Sequence, residues 1–378
     1  MKRYKYILIL FSLLSCNNEE IVIDTSSKSE VLKVIDAEKG IQNLNSLSFC
    51  VVKEDSLLWA YANGYADKSE NKIATIDTRY LIASISKAIT SVATMQLVEQ
   101  NKLALDEDIN TYLPFQVRNP NFPDNPITIR MLLNHSASIS DAHYANFDFY
   151  CWNVDCATPL GLFLKDFFSK DGQFYSVSSF YADNPGTQLN YSNMGYALLG
   201  YIVEVTAQQP FEKYCKEHIF SPLGMTKTEW RLSNTPINEL AIPYSPTYTS
   251  STPHYTFPDY PNGGIRTTPI DLSKFLRMLI NDGKFNDETI LSKSTLDLMK
   301  TKTLSQTSGG LTINFGLGMY YQSIKGVTLF GHNGGERGTS TEMYFDPETK
   351  VGVVVFTNTT AANLDLITYT LYKFGLSQ

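Results

Sequence analysis

The sequence predicts an α/β (α+β) protein in which both chain ends join one antiparallel sheet flanked by helices, while the middle of the chain forms a mainly helical lobe. Strand-like segments occur at 46–62 and again in the last third of the chain, where they are short, apolar and bounded by glycine. Helix-like apolar periodicity dominates the residues between them. One shared sheet buries the terminal strands most economically, so we expect a ligand cleft between that sheet and the helical lobe.

The individual elements follow from local patterns. Residues 46–62 predict two strands around a polar turn at 53–55, and the polar residues 67–72 predict an exposed hairpin turn. A mostly buried helix is expected over 88–100, and Thr128 is the expected N-cap of the next helix. The remaining predicted elements are a loop at 103–113, helices at 129–134, 196–205, 211–220, 269–282 and 290–300, an ordered surface loop at 240–264, strands at 316–321, 327–331, 340–346 and 352–358, and a final helix at 363–374.

Composition bounds the class of protein. The 378 residues are 43% apolar and 18% charged, which is ordinary for a globular protein and sufficient for a large core in one domain of two lobes or in two domains. The formal net charge is −7, and no basic run or basic-aromatic stripe occurs, so nucleic acid is not expected as a partner. No fixed-period repeat indicates a solenoid or propeller.

The first residues have the features of an export signal. Basic residues precede an apolar run at 6–14 that is too short to span a bilayer, and the run ends just before Cys16. This segment resembles a bacterial lipoprotein signal, which implies removal of 1–15 and a lipid on Cys16; an ordinary cleaved signal peptide is the alternative. The polar residues 16–30 predict a flexible tether. We therefore expect an exported protein, lipid-anchored in the bacterial cell envelope on the periplasmic face or the outer surface of the outer membrane.

The other four cysteines do not indicate a metal site. Cys151 and Cys156 are close enough in sequence to form a local disulfide in an oxidising compartment, but the sequence leaves this open. Cys50 and Cys215 lie in apolar runs and are expected to be buried thiols. No further ligands stand at metal-site spacing, so neither a metal nor a cofactor is predicted.

A serine and a lysine three residues apart are the first candidate catalytic pair. Ser84 and Lys87 would share one face of a helix, where the amine can take the proton of the hydroxyl. The same Ser-x-x-Lys pattern recurs at Ser69 and Lys72, in the predicted hairpin turn. Alternatively, Ser84 is only the N-cap of its helix, with Lys87 on the exposed face.

Two later motifs select the copy at Ser84 and Lys87. Tyr191-Ser192-Asn193 precedes a predicted helix, and Gly331-His332-Asn333-Gly334-Gly335 follows a predicted strand. In this order the three motifs resemble those of the serine β-lactamase and penicillin-binding-protein superfamily. The resemblance is greatest to the class C β-lactamase-related branch, which includes D-alanyl-D-alanine carboxypeptidases, D-aminopeptidases and esterases. It runs through nearly the whole mature chain, and the flanking segments that share it are 102–114, 129–140, 219–225 and 262–279.

The resemblance implies roles for the motif residues. Ser84 would attack a carbonyl and form an acyl-enzyme, Lys87 would act as the base after burial has lowered its pKa, and Tyr191 would relay the proton to the leaving group. No metal or cofactor is implied. The implied substrate-binding residues are Asn193, His332, Asn333 and Gly334, and the backbone N–H groups of Ser84 and Gly335 would form the oxyanion hole.

Two positions depart from the pattern of the branch. His332 stands where β-lactamases usually have a lysine, and a neutral imidazole anchors a substrate carboxylate less well, which argues against strong β-lactamase activity. Relatives often have glycine in place of Ser138, so a different local turn is expected. His135 nearby is expected to be structural. The aromatic segments 144–181 and 244–260 would line the cleft mouth, where they either hold substrate or pack on each other.

The resemblance also implies a domain organisation and a function. Residues 31–378 would form one serine hydrolase domain, with an α/β lobe at 31–85 and 310–378 and a helical lobe at 86–309. The expected activity is hydrolysis of an amide or ester, such as a D-amino-acid peptide, an ester or a β-lactam-like substrate. The alternative is a catalytically weak or silent penicillin-binding-like lipoprotein that binds cell-wall peptides. The expected partners are a small-molecule or peptide substrate and the membrane, and a monomer is favoured.

Two other classes of hydrolase fit the sequence less well. The Gly-x-Ser-x-Gly nucleophile elbow of α/β-hydrolases is absent from the sequence. His135, Asp141 and His143 are close together, but their spacing matches no metal-hydrolase motif.

Overall fold

The structure is a computed structural model that describes residues 23–245, 251–308 and 311–378. Cys16 and the predicted signal peptide lie outside the described residues. Within these three ranges, every helix is too short or too polar to cross a membrane.

Strands from both ends of the chain form the central sheet. Its nine strands among the described residues are all antiparallel, and the first of them pairs with the last, with Ser48 opposite Phe356. The strands are β1 (Ser46–Lys53), β2 (Ser56–Asp67), β3 (Lys72–Ile73), β4 (Tyr80–Leu81), β5 (Cys151–Trp152), β6 (Tyr255–Thr256), β7 (Arg266–Thr267), β8 (Lys284–Phe285), β9 (Glu288–Thr289), β10 (Leu304–Ser308), β11 (Leu311–Phe315), β12 (Tyr320–Ile324), β13 (Val327–Glu336), β14 (Thr339–Phe345) and β15 (Val351–Thr357). The large sheet has the order β10-β11-β12-β13-β14-β15-β1-β2-β3, which confirms the predicted fold class.

Helices cover both faces of this sheet and build the rest of the molecule. They are α1 (Lys28–Ile41), α2 (Ser86–Glu99), α3 (Ile129–Leu133), α4 (Leu160–Phe168), α5 (Asn193–Ala207), α6 (Phe211–Cys215), α7 (Pro269–Ile280), α8 (Lys293–Lys300) and α9 (Asp365–Ser377). On one face, α1 and α9 share an apolar cluster with the sheet, in which the rings of Trp59 and Phe374 are 5.1 Å apart. On the other face, α7 packs against β1 and β15.

Two predicted boundaries are wrong. Residues 28–30, which were assigned to the tether, form the first turn of α1, because Ser27 caps the helix through the Glu30 N–H and Val31 is buried beneath it. The helix α7 and the strand β10 fall in the predicted helical lobe of 86–309, yet both belong to the sheet layer. An amphipathic helix packs on whichever apolar surface is nearest in space, and chain position does not reveal that surface.

The helix α2 runs through the centre of the helical lobe, and its residues from Ser86 to Leu97 are all buried. Its hydroxyl groups are satisfied inside the core by carbonyl oxygens. Thr90 Oγ1 donates to the oxygen of Pro261 at 2.7 Å, and Ser91 Oγ donates to that of Lys87 at 2.8 Å. A buried helix with paired hydroxyls gives Lys87, on its first turn, a rigid support.

The segment 240–264 is not the surface loop that its polar composition predicts. Residues 254–264 are buried and cross beneath the N-terminus of α2, where the Ile265 N–H donates to Ser86 Oγ at 3.2 Å. Within 254–264 the side chains of Tyr255, Pro258, Tyr260 and Pro261 are all buried, so this part of the chain belongs to the core.

The aromatic stretch within 144–181 packs largely on itself. The Phe149 ring lies 5.1 Å from the rings of both Phe163 and Phe174. A disulfide joins Cys151 to Cys156, which the sequence left open, whereas Cys50 and Cys215 are buried free thiols as expected.

Candidate active site

Ser84 lies in a single 3₁₀ turn, Ala83–Ile85, between β4 and α2. Ala83 has a φ of 46°, in the left-handed region that alanine rarely adopts, and strain of this kind is often found at functional sites. The cap position of α2 is Ile85 and makes no side-chain hydrogen bond, so Ser84 is not the N-cap of this helix. The turn instead leaves the Ser84 hydroxyl available to its neighbours.

Lys87 is fully buried beside this hydroxyl. Its Nζ lies 3.0 Å from Ser84 Oγ, 2.7 Å from Asn193 Oδ1 and 2.8 Å from the backbone oxygen of Asn262. The alternative of Lys87 on an exposed helix face is therefore wrong, since the side chain is 0% exposed.

Burial lowers the pKa of Lys87 from 10.5 to about 7, and the nearby carboxylates Asp141, Asp259 and Glu336 oppose this shift. A neutral amine has two N–H donors and one lone pair. If the donors are used by Asn193 Oδ1 and the Asn262 oxygen, the lone pair is left for the Ser84 O–H. This is the arrangement that a general base requires, with a pKa close to neutral pH.

The first turn of α5 holds Asn193 in place. Ser192 caps the helix through the Gly195 N–H at 3.0 Å. The carboxylate of Asp141 accepts from the N–H of Asn193 at 2.6 Å, from that of Met194 at 3.2 Å and from Ser192 Oγ at 2.8 Å. A carboxylate at a helix N-terminus is favourable, and here it leaves the Asn193 side chain free to reach Lys87.

Tyr191 precedes this cap and stacks on His135, with ring centroids 4.2 Å apart. His135 Nδ1 accepts from the Ser192 N–H at 3.1 Å, and burial keeps the pKa of this imidazole well below its usual range, so it is neutral. Lys87 Nζ lies 5.0 Å from the centre of the Tyr191 ring. Burial raises the pKa of Tyr191, and a hydrogen bond with the Ser84 side chain opposes this shift. The residue is 38% exposed, which limits the effect of burial.

Strand β13 passes close to the Ser84 turn. A Cβ at Gly334 would lie 2.2 Å from the Ile82 oxygen and 3.1 Å from the Ser84 nitrogen, so only glycine permits this approach. A Cβ at Gly335 would meet nothing within 4 Å, so the next residue of the strand borders open space. The side chain of Asn333 accepts from Tyr320 Oη at 2.8 Å.

His332 is buried one residue before Asn333. Its Nδ1 lies 2.5 Å from the Asn333 oxygen, and its Nε2 has no hydrogen-bond partner in the described part of the chain. Burial and the charge of Lys87 lower the pKa of His332 to about 3, so the ring is neutral.

A comparison with known families assigns the chain as a whole. The family model described as Beta-lactamase matches residues 32–372. The chain belongs to the beta-lactamase family. It is thus a member of the serine β-lactamase-fold hydrolases, and its fold supports serine hydrolase activity.

Individual relatives of this beta-lactamase-family protein are distant. Protein flp of Staphylococcus aureus strain N315 is 24% identical over 339 residues, which cover 89% of this chain and 64% of flp. The chain thus spans slightly less than two thirds of the length of that relative.

Two solved structures share the fold. The octameric penicillin-binding protein homologue from Pyrococcus abyssi has a TM-score of 0.70 at 24% identity, over 91% of this chain and 76% of the other. The D-amino acid amidase from Ochrobactrum anthropi SV3, complexed with L-phenylalanine, has a TM-score of 0.71 at 24% identity, over 91% and 97%.

The structure of the beta-lactamase-family chain brings most of the predicted site residues together. They are Ser84, Lys87, Tyr191, Asn193, His332, Gly334 and Gly335. Asn333 lies on the same strand, but its side chain is bonded to Tyr320. Ser138 has a φ of 57°, a conformation that glycine adopts readily, so the serine does not change the local turn in the way that was expected.

Several residues around the site were not predicted from the sequence. Asp141 was considered only as part of a metal cluster, and the described residues contain no group of three side chains able to hold a metal ion. Asn262 contacts Lys87 through a backbone oxygen. In the sequence, one feature could have indicated this contact: Asn262 begins the segment 262–279, which shares the family resemblance. Asp259 accepts from Asn262 Nδ2 and from Tyr144 Oη, and nothing in the sequence indicated this role.

Proposed function

We propose that this chain is an exported serine hydrolase of the class C β-lactamase-related type, which cleaves an amide or ester through an acyl-enzyme on Ser84. The observation that carries the proposal is the environment of Lys87. The amine is buried, touches Ser84 Oγ at 3.0 Å, and has a pKa lowered to about 7. These are the properties of a base that activates a serine.

Acylation follows from this geometry. The Ser84 proton moves to the Lys87 amine as Oγ bonds to the substrate carbonyl carbon. The oxyanion accepts from the N–H groups of Ser84 and Gly335, in keeping with the close approach of β13 to the Ser84 turn at Gly334. Collapse of the tetrahedral intermediate expels the leaving group, which takes a proton that originates on Lys87 and passes through Tyr191.

Deacylation reverses these roles. A water molecule gives a proton to the Tyr191 oxygen as the Tyr191 proton moves to the neutral Lys87 amine, and the water oxygen attacks the acyl carbon. Ser84 Oγ leaves and takes the proton back from the Lys87 ammonium, which lies 3.0 Å away. Asn193 holds one N–H of Lys87 throughout, which keeps the amine aligned with the serine.

The proposed substrates are D-amino-acid peptides or amides and esters, with β-lactams as poor substrates. The similarity in fold to a D-amino acid amidase supports an amide substrate. The neutral His332 supports carboxypeptidase-like or esterase-like activity over strong β-lactamase activity, because an ammonium would bind a carboxylate better.

The proposed location is the cell envelope, with a lipid on Cys16. The disulfide between Cys151 and Cys156 supports an oxidising compartment. Mass spectrometry of the mature protein tests this proposal. The expected product lacks residues 1–15 and carries a lipid on Cys16, and a processed N-terminus without lipid would contradict the anchor.

A turnover panel tests the activity. Wild-type protein, Ser84→Ala and Ser69→Ala are compared on p-nitrophenyl esters, nitrocefin and D-alanyl-D-alanine peptides. We expect at least one class of substrate to be hydrolysed by wild type and by Ser69→Ala, and none by a folded Ser84→Ala. Undiminished hydrolysis by Ser84→Ala would overturn the proposal. Absence of turnover and of any Ser84 adduct in the wild type would favour a silent peptide-binding protein.

A further inference from the structure

The two N–H donors of the neutral Lys87 amine meet two kinds of acceptor. One is the side-chain oxygen of Asn193, at 2.7 Å, on a helix whose N-terminus is held by Asp141. The other is the backbone oxygen of Asn262, at 2.8 Å. A backbone oxygen points where its turn points, so the direction of the amine depends on what fixes the turn that ends at Asn262.

Asp259 stands at the start of this turn and holds it closed. The turn is a single 3₁₀ turn, Tyr260–Asn262, with Asp259 at its cap position. The Asp259 Oδ2 accepts from Asn262 Nδ2 at 2.5 Å, and the backbone oxygen of Asp259 accepts from the same amide at 2.7 Å and from the Asn262 N–H at 3.2 Å. Three hydrogen bonds thus join the two ends of the turn and fix the direction of the Asn262 carbonyl.

Tyr144 holds the same carboxylate from the helical lobe. Its Oη donates to Asp259 Oδ1 at 2.8 Å, so each carboxylate oxygen has a donor. The Tyr144 ring is packed 5.0 Å from the ring of Phe149. Tyr144 follows Asp141 by only three residues. One segment of four residues, 141–144, therefore supports both acceptors of the Lys87 amine.

The burial of Asp259 makes a carboxylate costly at this place. The residue is 3% exposed, and its two side-chain donors are neutral groups. Burial raises the pKa of Asp259 to about 6, and the hydrogen bond from Tyr144 opposes this shift. Burial lowers the pKa of Lys87, and the Asp259 charge is one of the influences that oppose it. The carboxylate thus affects both the direction and the charge of the amine, which gives a reason for its cost.

We propose that Tyr144 and Asp259 are positioning residues that direct the Lys87 amine toward Ser84. Tyr144 fixes the Asp259 carboxylate, and the carboxylate fixes the turn whose carbonyl holds the amine. Both act through the turn, so they affect the proton transfer and not the binding of substrate. This inference rests on the proposed function, since it concerns the base of the Ser84 site.

The rate of Ser84 modification by a fluorophosphonate tests this proposal. Tyr144→Phe keeps the ring and removes the donor, and Asp259→Asn keeps one acceptor oxygen and removes the charge. For each variant we expect the maximal rate to fall by about tenfold while the half-saturating reagent concentration stays at the wild-type value. The double variant should be no slower than the slower single variant, because both changes act on one turn.

A second tyrosine–carboxylate pair provides the control. Tyr372 Oη donates to Asp346 Oδ2 at 2.6 Å in the sheet layer. Tyr372→Phe removes this bond and should leave the rate of Ser84 modification unchanged. Thermal melts verify that each variant is folded, and if Asp259→Asn does not fold, Tyr144→Phe decides. A wild-type rate in folded Tyr144→Phe or Asp259→Asn, or a double variant whose loss is the product of the single losses, would overturn the proposal.

A titration of Lys87 separates this inference from the proposed function. In protein labelled with ¹³C at the lysine Cε, the Lys87 resonance is the one that Lys87→Met lacks. Its midpoint should move to lower pH by about half a unit or more in Asp259→Asn, because the ammonium loses a nearby charge. Tyr144→Phe should move the midpoint in the same direction, since a carboxylate without this donor takes up a proton more readily. Asp141 remains in both variants.

The two measurements fail in different ways. Midpoints equal to that of the wild type would overturn the coupling of Asp259 to Lys87, even in a protein that hydrolyses no substrate. Lower midpoints in a protein whose Ser84 does not react would support the positioning of the amine and would contradict the proposed function.

Discussion

The chain contains the Ser-x-x-Lys pattern twice, and the two copies have different environments. Ser69 lies in an exposed turn, where its Oγ donates to Asp67 Oδ1 at 2.6 Å. Lys72 begins β3 and donates to the backbone oxygen of Asn238. In the second copy, Lys87 Nζ contacts Ser84 Oγ directly at 3.0 Å.

Local geometry and burial account for the difference. In helical backbone, residues i and i+3 share a face, whereas in the turn that leads into β3 they do not. The described structure has no hydrogen bond between the side chains of Ser69 and Lys72. Burial around Lys87 also lowers its pKa to about 7. The spacing of the two residue types is therefore insufficient, and the chemistry depends on the fold that surrounds the pair.

The largest effect on turnover is expected from removing the amine. Lys87→Met keeps a long side chain but removes the base, so kcat/KM for a p-nitrophenyl ester should fall by about 10²–10⁴-fold. Lys72→Met makes the same exchange in the exposed copy and should retain wild-type turnover. Thermal melts verify that both variants are folded. A folded Lys87→Met with more than a tenth of wild-type activity would show that the two lysines do not differ in the way proposed.

The next largest effect on turnover is expected from β13, which lies beside Ser84 and has no counterpart beside Ser69. Gly334→Ala places a methyl group 2.2 Å from the Ile82 oxygen and 2.4 Å from Thr341 Oγ1, so β13 must move away from Ser84. We expect a loss of about 1–3 kcal/mol in the free energy of unfolding and about a hundredfold loss of turnover.

Gly335→Ala is the control for stability, because the added methyl group meets nothing within 4 Å. Its midpoint in chemical denaturation should match that of the wild type. Equal destabilisation by the two alanines would contradict the close approach of β13 at Gly334.

A smaller effect is expected from Asp141→Asn. The amide has one acceptor oxygen where the carboxylate has two, so the N–H groups of Asn193 and Met194 and the Ser192 hydroxyl lose a partner. We expect turnover to fall by about tenfold as the Asn193 side chain loses its alignment.

The same variant should also shift the pH profile. The Asp141 charge raises the pKa of Lys87, so its removal lowers that pKa and moves the rising limb of kcat/KM to lower pH. Asp287→Asn, at an exposed acid, should leave the limb in place. A limb that stays fixed or moves to higher pH in Asp141→Asn would contradict the electrostatic coupling.

Glu342 is buried, as Lys87 is, but it has no proposed role in catalysis. Its substitution should therefore have the smallest effect on turnover. Burial raises the pKa of this acid in β14 to about 8, and its carboxyl accepts from Thr368 Oγ1 at 2.5 Å. The folded protein keeps this proton up to about pH 8, whereas the unfolded chain loses it near pH 4.3. The free energy of unfolding therefore falls as pH rises between these values, by up to about 1.4 kcal/mol per unit.

Glu342→Gln resembles the protonated acid and does not titrate. In urea denaturation between pH 5 and 8, the variant should lack this fall and should exceed the wild type in stability at pH 8. A parallel pH dependence of the two proteins would show that Glu342 is ionised in the fold.

The sequence predicts much of the fold because its terminal strands and central helices carry strong local patterns. The pairing of β1 with β15 follows from those patterns together with the need to bury two sets of apolar strands. The helix α1 starts inside residues that composition assigned to a tether, because burial of Val31 against the sheet outweighs the polarity of the preceding residues. The buried segment 254–264 was likewise missed, since polar composition does not reveal which side chains find buried partners.

The candidate site is predictable to the extent that it consists of motif side chains. Ser84, Lys87 and Tyr191 belong to motifs that the sequence displays directly. The contact of Lys87 with Asn262 spans 175 positions and uses a backbone oxygen, which no residue type encodes. The hydrogen bonds that Asp141 accepts from the start of α5 also join segments distant in sequence, so only the folded chain reveals them.

The most direct test of the account is the rate of Ser84 modification by a fluorophosphonate as a function of pH, followed by intact mass and peptide mapping. Because the pKa of Lys87 is about 7 in the folded protein, the fraction of neutral amine rises about tenfold between pH 6 and 8. The account predicts one adduct, on Ser84, that forms about tenfold faster at pH 8 than at pH 6, and none on Ser69. An adduct elsewhere, or a rate on Ser84 that does not increase over this range, would contradict it.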